Sequence, residues 1–569
     1  MSLRHLLRPL HLQTRVPLSS HRRLARLTLF GGALLGTTLY LSAKSPLYAD
    51  NDEHDPKQKT PNVSLGSLIR SYAVYSMCSI PALVDASPAI LKAFTSVPGL
   101  KQVTEAVVRV TFFDQFVGGD TAEDCLPLLA SYRAQNKGVL FGYSVEVDES
   151  APTPAPSSTH EEDVPIHKRI VKEMIHSIDV AADFEDRYGK RDGRGRKTWV
   201  AVKLTALLPD AQALINFSSH LVKSRPNSYI PFPGCPHPTD LDILYSPSPE
   251  SNLRPEDIKA LKELDQDLVA ICQRAQERGV RIIMDAEYSW YQPAIDAYVL
   301  SLTRRFNKLD GKEAKGQPVR PLVYQTYQAY LRRTPMYLSH SLKNAKAGNY
   351  ALGVKLVRGA YHPHEMAAHP SLPSPPTSGS TQSAEMEKSH SLSISPDPLP
   401  PVWFSKEQTD DCYNKCAKLV LAEIKSDLSP TQTRSWWPAK SKPTGTEVPR
   451  IGVLFGTHNW ESCKLILGQM VQGGLATSEG DVVRVGEEVC ERVTIAQLYG
   501  MSDALTDYLV GRTRSDVPLV MKYVPYGALS EVMPYLSRRA IENKSVLGNG
   551  GAADERRRAG AEIWKRVFG

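Results

Sequence analysis

The amino-acid sequence predicts an α/β chain arranged as a (β/α)8 barrel. Three observations point there. Eight short β-branched or apolar runs recur from residue 138 onward: GVLFGYSVEV, WVAVKLTAL, VRIIMDAEY, PLVYQTYQAY, ALGVKLVRGAY, RIGVLFGTHN, RVTIAQLYGM and PLVMKYVPYG. Helix-length segments separate them. Nearly every run closes on polar or charged residues. Eight strands alternating with helices suit a closed barrel better than an open sheet.

The chain begins with a different texture. Residues 1–49 hold Arg4, Arg8, Arg15, Arg22, Arg23, Arg26 and Lys44 and no acid, which accounts for the whole formal charge of +7. The remaining chain carries as many bases as acids, so the basic balance does not describe the folded body and gives no support to a nucleic-acid surface. An Arg-rich, acid-free start with Ser and Leu reads as a mitochondrial transit peptide over 1–49. Within it, 27–43 is free of charge. As a helix it would span about 26 Å, marginal for a bilayer. It reads either as an inner-membrane anchor or as the end of a removed presequence.

Residues 50–135 form an N-terminal helical region in this reading. Amphipathic segments run from Val63 to Gln135, with breaks expected at Pro81, Pro88, Pro98 and Gly118-Gly119. The barrel follows over 136–569. Pro- and Ser-rich stretches at 149–165, 366–402 and 426–449 read as flexible surface insertions. Eight cysteines are scattered. The closest pair, Cys412 and Cys416, has no His partner at zinc-finger spacing, so buried free thiols are expected and no metal.

Chemistry in such a barrel gathers at the C-terminal ends of the strands. The runs place Lys203, Asp285 with Glu287, Gln328, Lys355 with Arg358, Tyr361, Thr457-His458-Asn459, Gln497 and Tyr523 there. Strand interiors do not bury charge cheaply, so charges recurring at strand ends suggest a shared polar cup. Lys203 or Lys355 is suited to a Schiff base, which leaves a lyase open. No G-x-G-x-x-G follows a strand, so a Rossmann nucleotide domain is not indicated.

After the eighth run, Pro525 and Gly527 turn the chain and a helix is expected from about Leu529. Tyr535, Arg538, Arg539 and Glu542 make a polar stripe on it. Two guanidiniums near one point suit a carboxylate. From spacing alone the leading reading is Arg538 paired with Glu542 as plain surface stabilisation; a membrane-anchored scaffold without catalysis is the non-enzymatic alternative. A second pair, Arg332 and Arg333, poses the same question.

Six motifs carry a family resemblance: Y-x-P-Y-G…Y-L-x-R-R-x-x-E-N at 523–543, V-K-L-V-R-G-A-Y at 354–361, M-D-A-E at 284–287, K-L-T-A-L at 203–207, Q-A-Y-L-R-R-T-P at 328–335 and T-H-N at 457–459. In that order they resemble the eukaryotic mitochondrial proline dehydrogenases (proline oxidases). The resemblance implies a distorted barrel that binds FAD without a Rossmann fold, its last helix lying over the barrel mouth. It implies that Arg538 and Arg539 clamp the carboxylate of L-proline, that Asp285 orients one of them, and that Tyr523, Tyr535 and Leu498 enclose the ring. Lys203 stands beside substrate and flavin as the catalytic residue. Gln328, Lys355, Gly359, Tyr361, Thr457, His458 and Asn459 match flavin-contacting positions. Glu542 holds the last helix, and Ser405 and Lys406 align with contacts to the FAD tail. Lys355 stands where bacterial relatives often carry Arg, keeping the charge but not the fork. The implied reaction is hydride transfer from proline C5 to flavin N5, giving pyrroline-5-carboxylate, with ubiquinone as electron acceptor at the inner mitochondrial membrane. A bulky Tyr535 goes with proline; hydroxyproline dehydrogenase is the alternative within the family. Only Gln328 of the Q-A-Y-L-R-R segment matches a cofactor position, so Arg332 and Arg333 are expected to be structural.

Overall fold

The computed structural model describes residues 64–97, 99–145, 164–188, 194–225, 229–246, 253–309, 321–369, 393–428, 450–544 and 551–568. The proposed transit peptide, the uncharged stretch 27–43 and most of the three Pro/Ser-rich segments lie outside them. All eight apolar runs form strands: β1 Lys137–Tyr143, β2 Thr198–Val202, β3 Ile282–Met284, β4 Val323–Gln328, β5 Leu352–Val357, β6 Ile451–Gly456, β7 Val493–Leu498 and β8 Val520–Tyr526. They close into a barrel in chain order, with β8 pairing both β7 and β1. Every neighbour is parallel. Parallel strands need crossover connections, and helices such as Ile166–Asp186, Pro255–Arg278 and Gln292–Phe306 supply them.

The strands are buried on both faces, which explains their nearly continuous apolar reading. Inside the barrel sit Leu140, Trp199, Ala201, Ile283, Tyr324, Leu454, Ala496 and Met521. Tyr324 is large for such a plug, and two glycines make room for it. A Cβ at Gly353 would lie 2.6 Å from the Tyr324 ring, and one at Gly452 only 2.2 Å from its hydroxyl oxygen. Outside the barrel, two larger apolar clusters fill the space between strands and helices.

The helices before the barrel include Leu65–Cys78, Pro81–Thr95 and Leu100–Val108. The last of them passes into a π-helical turn, Arg109–Phe113. The expected breaks are partly corrected. Pro81 opens a helix instead of interrupting one, because a first-turn N–H has no intrahelical acceptor to lose. Pro88 lies inside the same helix; it has no N–H to give the Val84 carbonyl, which accepts from the Ser87 hydroxyl at 2.7 Å instead. The turns around Gly99 and Gly118-Gly119 do end helices.

Three features were not anticipated. A hairpin pairs Ala476–Glu479 with Val482–Val485 across Gly480-Asp481, and Thr513–Arg514 joins it as a third strand. A C-terminal helix, Gly551–Phe568, packs along Leu65–Cys78, where a Cβ on Gly560 would stand 3.1 Å from the Tyr72 ring. The 366–402 segment is not a free loop throughout: Pro400, Pro401 and Val402 are buried, and Arg332 donates to the Pro400 carbonyl at 2.7 Å.

The crowding at Tyr324 yields a stability prediction. Gly452→Ala should destabilise the protein by about 1–3 kcal/mol, the usual cost of overpacking. Tyr324→Phe in the same chain should recover most of that loss, because it removes the clashing oxygen. Denaturant unfolding of the two variants checks it; no recovery would place the strain elsewhere.

Candidate active site

Each candidate residue sits where its strand delivers it. Lys203 and Asp285 directly follow β2 and β3. Gln328 and Leu498 are the last residues of β4 and β7, and Thr457, His458 and Asn459 follow β6. Lys355 and Tyr523 lie within β5 and β8. All belong to one face, the C-terminal end of the barrel.

Charge in this cup is paired. Asp285 accepts from Lys355 Nζ at 2.5 Å, and both residues are about nine-tenths buried. The ammonium also stands 5.5 Å from the centre of the Tyr523 ring. This corrects the expected role of Asp285: its partner is Lys355, not an arginine of the last helix. A charge at the end of β5 is available at once to a carboxylate two strands away, whereas the arginines arrive on a separate helix. Glu287 accepts from the Thr205 amide at 3.1 Å and its hydroxyl at 2.5 Å. Burial nevertheless raises its pKa, against the pull of those bonds and of the Lys203 charge.

The loops after β5 and β6 are joined by Arg358. It reaches Thr457 Oγ1 at 2.6 Å, Ser462 Oγ at 2.8 Å and Asp410 Oδ1 at 2.6 Å, and it covers the Tyr413 ring. Thr457 and Asn459 are thereby fixed. Asn459 caps the helix Trp460–Gln472 by accepting from the Ser462 amide at 2.9 Å. Ser405 likewise caps the helix Lys406–Leu428, accepting from the Gln408 amide at 3.3 Å, while Lys406 pairs with Asp410 at 2.5 Å. Through Asp410 that helix end joins the same network. Gly359 has φ +119°, and a Cβ there would fall 2.5 Å from the Tyr330 ring, so only glycine suits the position.

His458 Nε2 accepts from the Leu498 amide at 3.0 Å. That nitrogen is therefore unprotonated and the ring neutral. Burial pushes its pKa down to about 4; Glu542 pulls the other way, and Lys522, Arg539 and Arg358 add to the lowering.

The helix after β8, Leu529–Lys544, completes the site. Val532, Tyr535, Leu536 and Ala540 pack with Val74, Tyr75, Phe113 and Phe116 of the N-terminal helices. The same helix carries both arginines. Arg538 lies over the Tyr361 ring at 5.4 Å, and Arg539 over the Tyr535 ring at 5.2 Å. Arg539, not Arg538, forms the ion pair with Glu542. The i,i+3 partner wins because Arg538 is turned toward the loop after β5. The second dipeptide behaves differently. Arg333 is buried against Asp296 at 2.6 Å and the Gly234 carbonyl at 2.7 Å, and Arg332 holds the 399–400 backbone. Both are spent on packing.

A family profile described as proline dehydrogenase matches residues 158–387 and 383–549. The chain belongs to the proline dehydrogenase family. Among curated relatives, it is 27% identical to the mitochondrial proline dehydrogenase 2 of Arabidopsis thaliana, covering 91% of both chains. It is also 27% identical to the hydroxyproline dehydrogenase of Rattus norvegicus, over 88% of this chain and 91% of that one. Proline utilization A from Bdellovibrio bacteriovorus, solved after inactivation by N-propargylglycine, shares the fold with a TM-score of 0.50 at 16% identity. The match covers 87% of this chain and 39% of that longer protein.

Glu365 and Ser289, outside the family motifs, and Tyr330, inside one but given no role, form a buried polar cluster that the sequence did not point to. Glu365 lies in a polar stretch, AYHPHE, that reads as an exposed loop; no periodicity marks it.

His458 gives the site a pH dependence of stability. An unfolded histidine titrates near 6.5. Between about 6.5 and 4 the unfolded chain binds a proton that the folded chain refuses, so stability falls as pH drops through that window. His458→Gln should flatten this loss. Denaturant midpoints at pH 7 and pH 5 should diverge more in the wild type than in the variant; equal losses would assign the slope to other groups.

Proposed function

We propose that the protein is an FAD-dependent proline dehydrogenase, oxidising L-proline to pyrroline-5-carboxylate. The observation that carries this reading is the last helix: it brings two arginines, one of them buried, to the rim of a cup that already holds Lys203 and the Lys355–Asp285 pair. An amino-acid carboxylate accepts two guanidinium forks well. Anchored at that end by Arg538 and Arg539, the substrate ring would rest among Tyr523, Tyr535 and Leu498. Tyr535 is 3% exposed, and a ring that tight against the helix favours proline over its hydroxylated relative.

The residues present fit a flavin. Gln328 Oε1 is buried with no hydrogen-bond partner among the described residues, an acceptor in want of a donor. Gln328, Lys355, Gly359, Tyr361, Thr457, His458, Asn459 and Glu542 would hold the cofactor, with Ser405 and Lys406 at its tail. When bound, FAD would supply the acceptor for the two electrons of the C5–H bond, C5–N becoming the double bond of the product. The chain itself orients and charges the site. Lys203 and the arginines make the cup cationic, which favours the neutral amine from which oxidation proceeds. The helix Leu529–Lys544, backed by the N-terminal helices, shields the substrate from water.

The acid-free, Arg-rich N-terminus and the mitochondrial relatives support a mitochondrial location. Ubiquinone is the electron acceptor in this reading, with the enzyme associated with the inner membrane. No described helix is long and apolar enough to cross a membrane.

The purified protein should be yellow and should bleach when proline is added. Arg538→Met and Arg539→Met should each raise the KM for proline about 100-fold, as loss of a charge-assisted pair predicts. Arg333→Met should lower Tm and leave KM near its original value. A colourless protein that takes up no FAD would sink the reading; an unchanged KM in the helix variants would sink the carboxylate clamp alone.

A second test concerns specificity. kcat/KM for L-proline should exceed that for 4-hydroxyproline by about 10-fold or more, a discrimination of the size a crowded pocket supplies. The reverse preference would reassign the chain within its family.

A further inference from the structure

Behind the strand ends lies a carboxyl that the reaction above does not use. Glu365, on the short helix His362–Ala367 after β5, is 2% exposed. Ser289, in the loop after β3, donates to it twice, from its amide to Oε1 at 2.6 Å and from its hydroxyl to Oε2 at 2.6 Å. Tyr330, two residues past β4, donates its hydroxyl to Oε1 at 3.4 Å. One side chain thus ties together the loops after three consecutive strands.

The chain of bonds continues to Gln328. Its Nε2 donates to the Tyr330 oxygen at 3.3 Å and to the Glu287 carbonyl at 3.1 Å. Both amide hydrogens are therefore used, and Oε1 is left as the group without a partner among the described residues. An amide has nearly the same shape when its oxygen and nitrogen are exchanged, so hydrogen bonding alone decides which atom faces which way. Here two acceptors decide together: the Glu287 carbonyl, which can only accept, and the Tyr330 oxygen, whose proton is directed by Glu365. The Glu365 oxygen takes the Tyr330 proton; the Tyr330 lone pairs then face Gln328 and select the nitrogen. Tyr330 is itself immobile. Its carbonyl accepts from the Trp403 amide at 2.8 Å, and its ring fills the space that a Cβ on Gly359 would need.

We propose that Glu365 is a positioning residue which, through Tyr330, holds the Gln328 amide so that Oε1 is presented as an acceptor to an N–H donor on the flavin ring. This rests on the FAD reading above, with Glu365 added as a residue that never touches the cofactor. The required property is an acceptor oxygen at position 365, not a negative charge.

The test uses the full chain, freed of flavin and titrated with FAD, following flavin fluorescence and the long-wavelength absorption band. Glu365→Met keeps the length of the side chain and removes the acceptor. Tyr330→Phe keeps the ring against Gly359 and cuts the relay. Each should weaken FAD binding about 10-fold and shift the band, as one lost hydrogen bond predicts. The double variant should be no worse than either single, because both break one chain. Glu365→Gln should bind FAD as the wild type does, since its carbonyl still accepts from Tyr330. Should Glu365→Met fail to fold, Tyr330→Phe and Glu365→Gln carry the test. Additive losses, an unshifted band in Tyr330→Phe, or a Glu365→Gln as weak as Glu365→Met would overturn the relay. Wild-type titration stands apart: a wild type that takes up no FAD overturns the cofactor reading and the relay with it, whereas a binding wild type with an unresponsive Tyr330→Phe overturns the relay only.

Discussion

The site depends on the seam where the barrel closes. β1 and β8 pair over seven residues, from Lys137 with Val520 to Tyr143 with Tyr526. Phe141 stacks on Tyr526 at 4.5 Å, locking the register from the side-chain layer. The N-terminal segment then grips the strand as it leaves. Gly118 donates to the Pro525 carbonyl at 2.8 Å, and Gly527 donates to the Gly119 carbonyl at 3.1 Å. A Cβ on Gly118 would lie 2.5 Å from Val524, so the approach is as close as it is because the residue is glycine. Gly527 itself takes φ +143° and redirects the chain into the last helix. The position of Arg538 and Arg539 is thus set upstream of the helix that bears them. A slip of one residue at the seam would exchange every inward and outward side chain and carry both arginines off the cup.

The same helix is held from outside by the N-terminal helices. Tyr75 donates to the Gly500 carbonyl at 2.5 Å and Gln115 to the same oxygen at 3.0 Å, so the turn after Leu498 is fastened by residues that precede the barrel. Leu498 donates its amide to His458, which feels the charges of Glu542 and Arg539. One continuous set of contacts therefore links the N-terminal helices, the turn after β7, the loop after β6 and the last helix. A neutral histidine at its centre fits that role: a cation there would face three others.

The strand content was legible because parallel barrel strands are buried on both faces and show as unbroken apolar runs. The polar cup was legible because charge is expensive inside a barrel and so collects at the ends. Partner choice was not. Asp285 was expected to meet an arginine and meets Lys355; the surface pair that spacing offered, Arg538 with Glu542, is replaced by Arg539 with Glu542. Spacing along a helix offers i+3 and i+4 equally, and only the neighbouring loop, with Tyr361 drawing Arg538 away, separates them. Pro88 was read as a break because the rescue of the Val84 carbonyl by Ser87 depends on a rotamer. The hairpin at 476–485 carried a visible signal, Gly480-Asp481 between alternating residues, hidden by its small size.

The two arginine dipeptides show what separates a binding group from a packing group when the residues are identical. Arg333 buries its charge against Asp296, which also accepts from Gln292 and Gln325 at 2.8 and 2.9 Å. Removing either partner would strand a charge in the interior, and the cost would be read as lost stability. Arg539 is as deeply placed, but its acid partner, Glu542, is exposed and sits one helical turn away. Such a partner holds the guanidinium in position, and its own charge is weakened by solvent. Arg538 stands 5.4 Å from the centre of the Tyr361 ring, a cation–π contact that helps orient its guanidinium. A clamp for an anion needs oriented cations whose charge is not sealed against a buried acid. Arg539 pairs with an exposed acid and Arg333 with a buried one, which is why mutating the first pair should alter substrate affinity and mutating the second should alter stability.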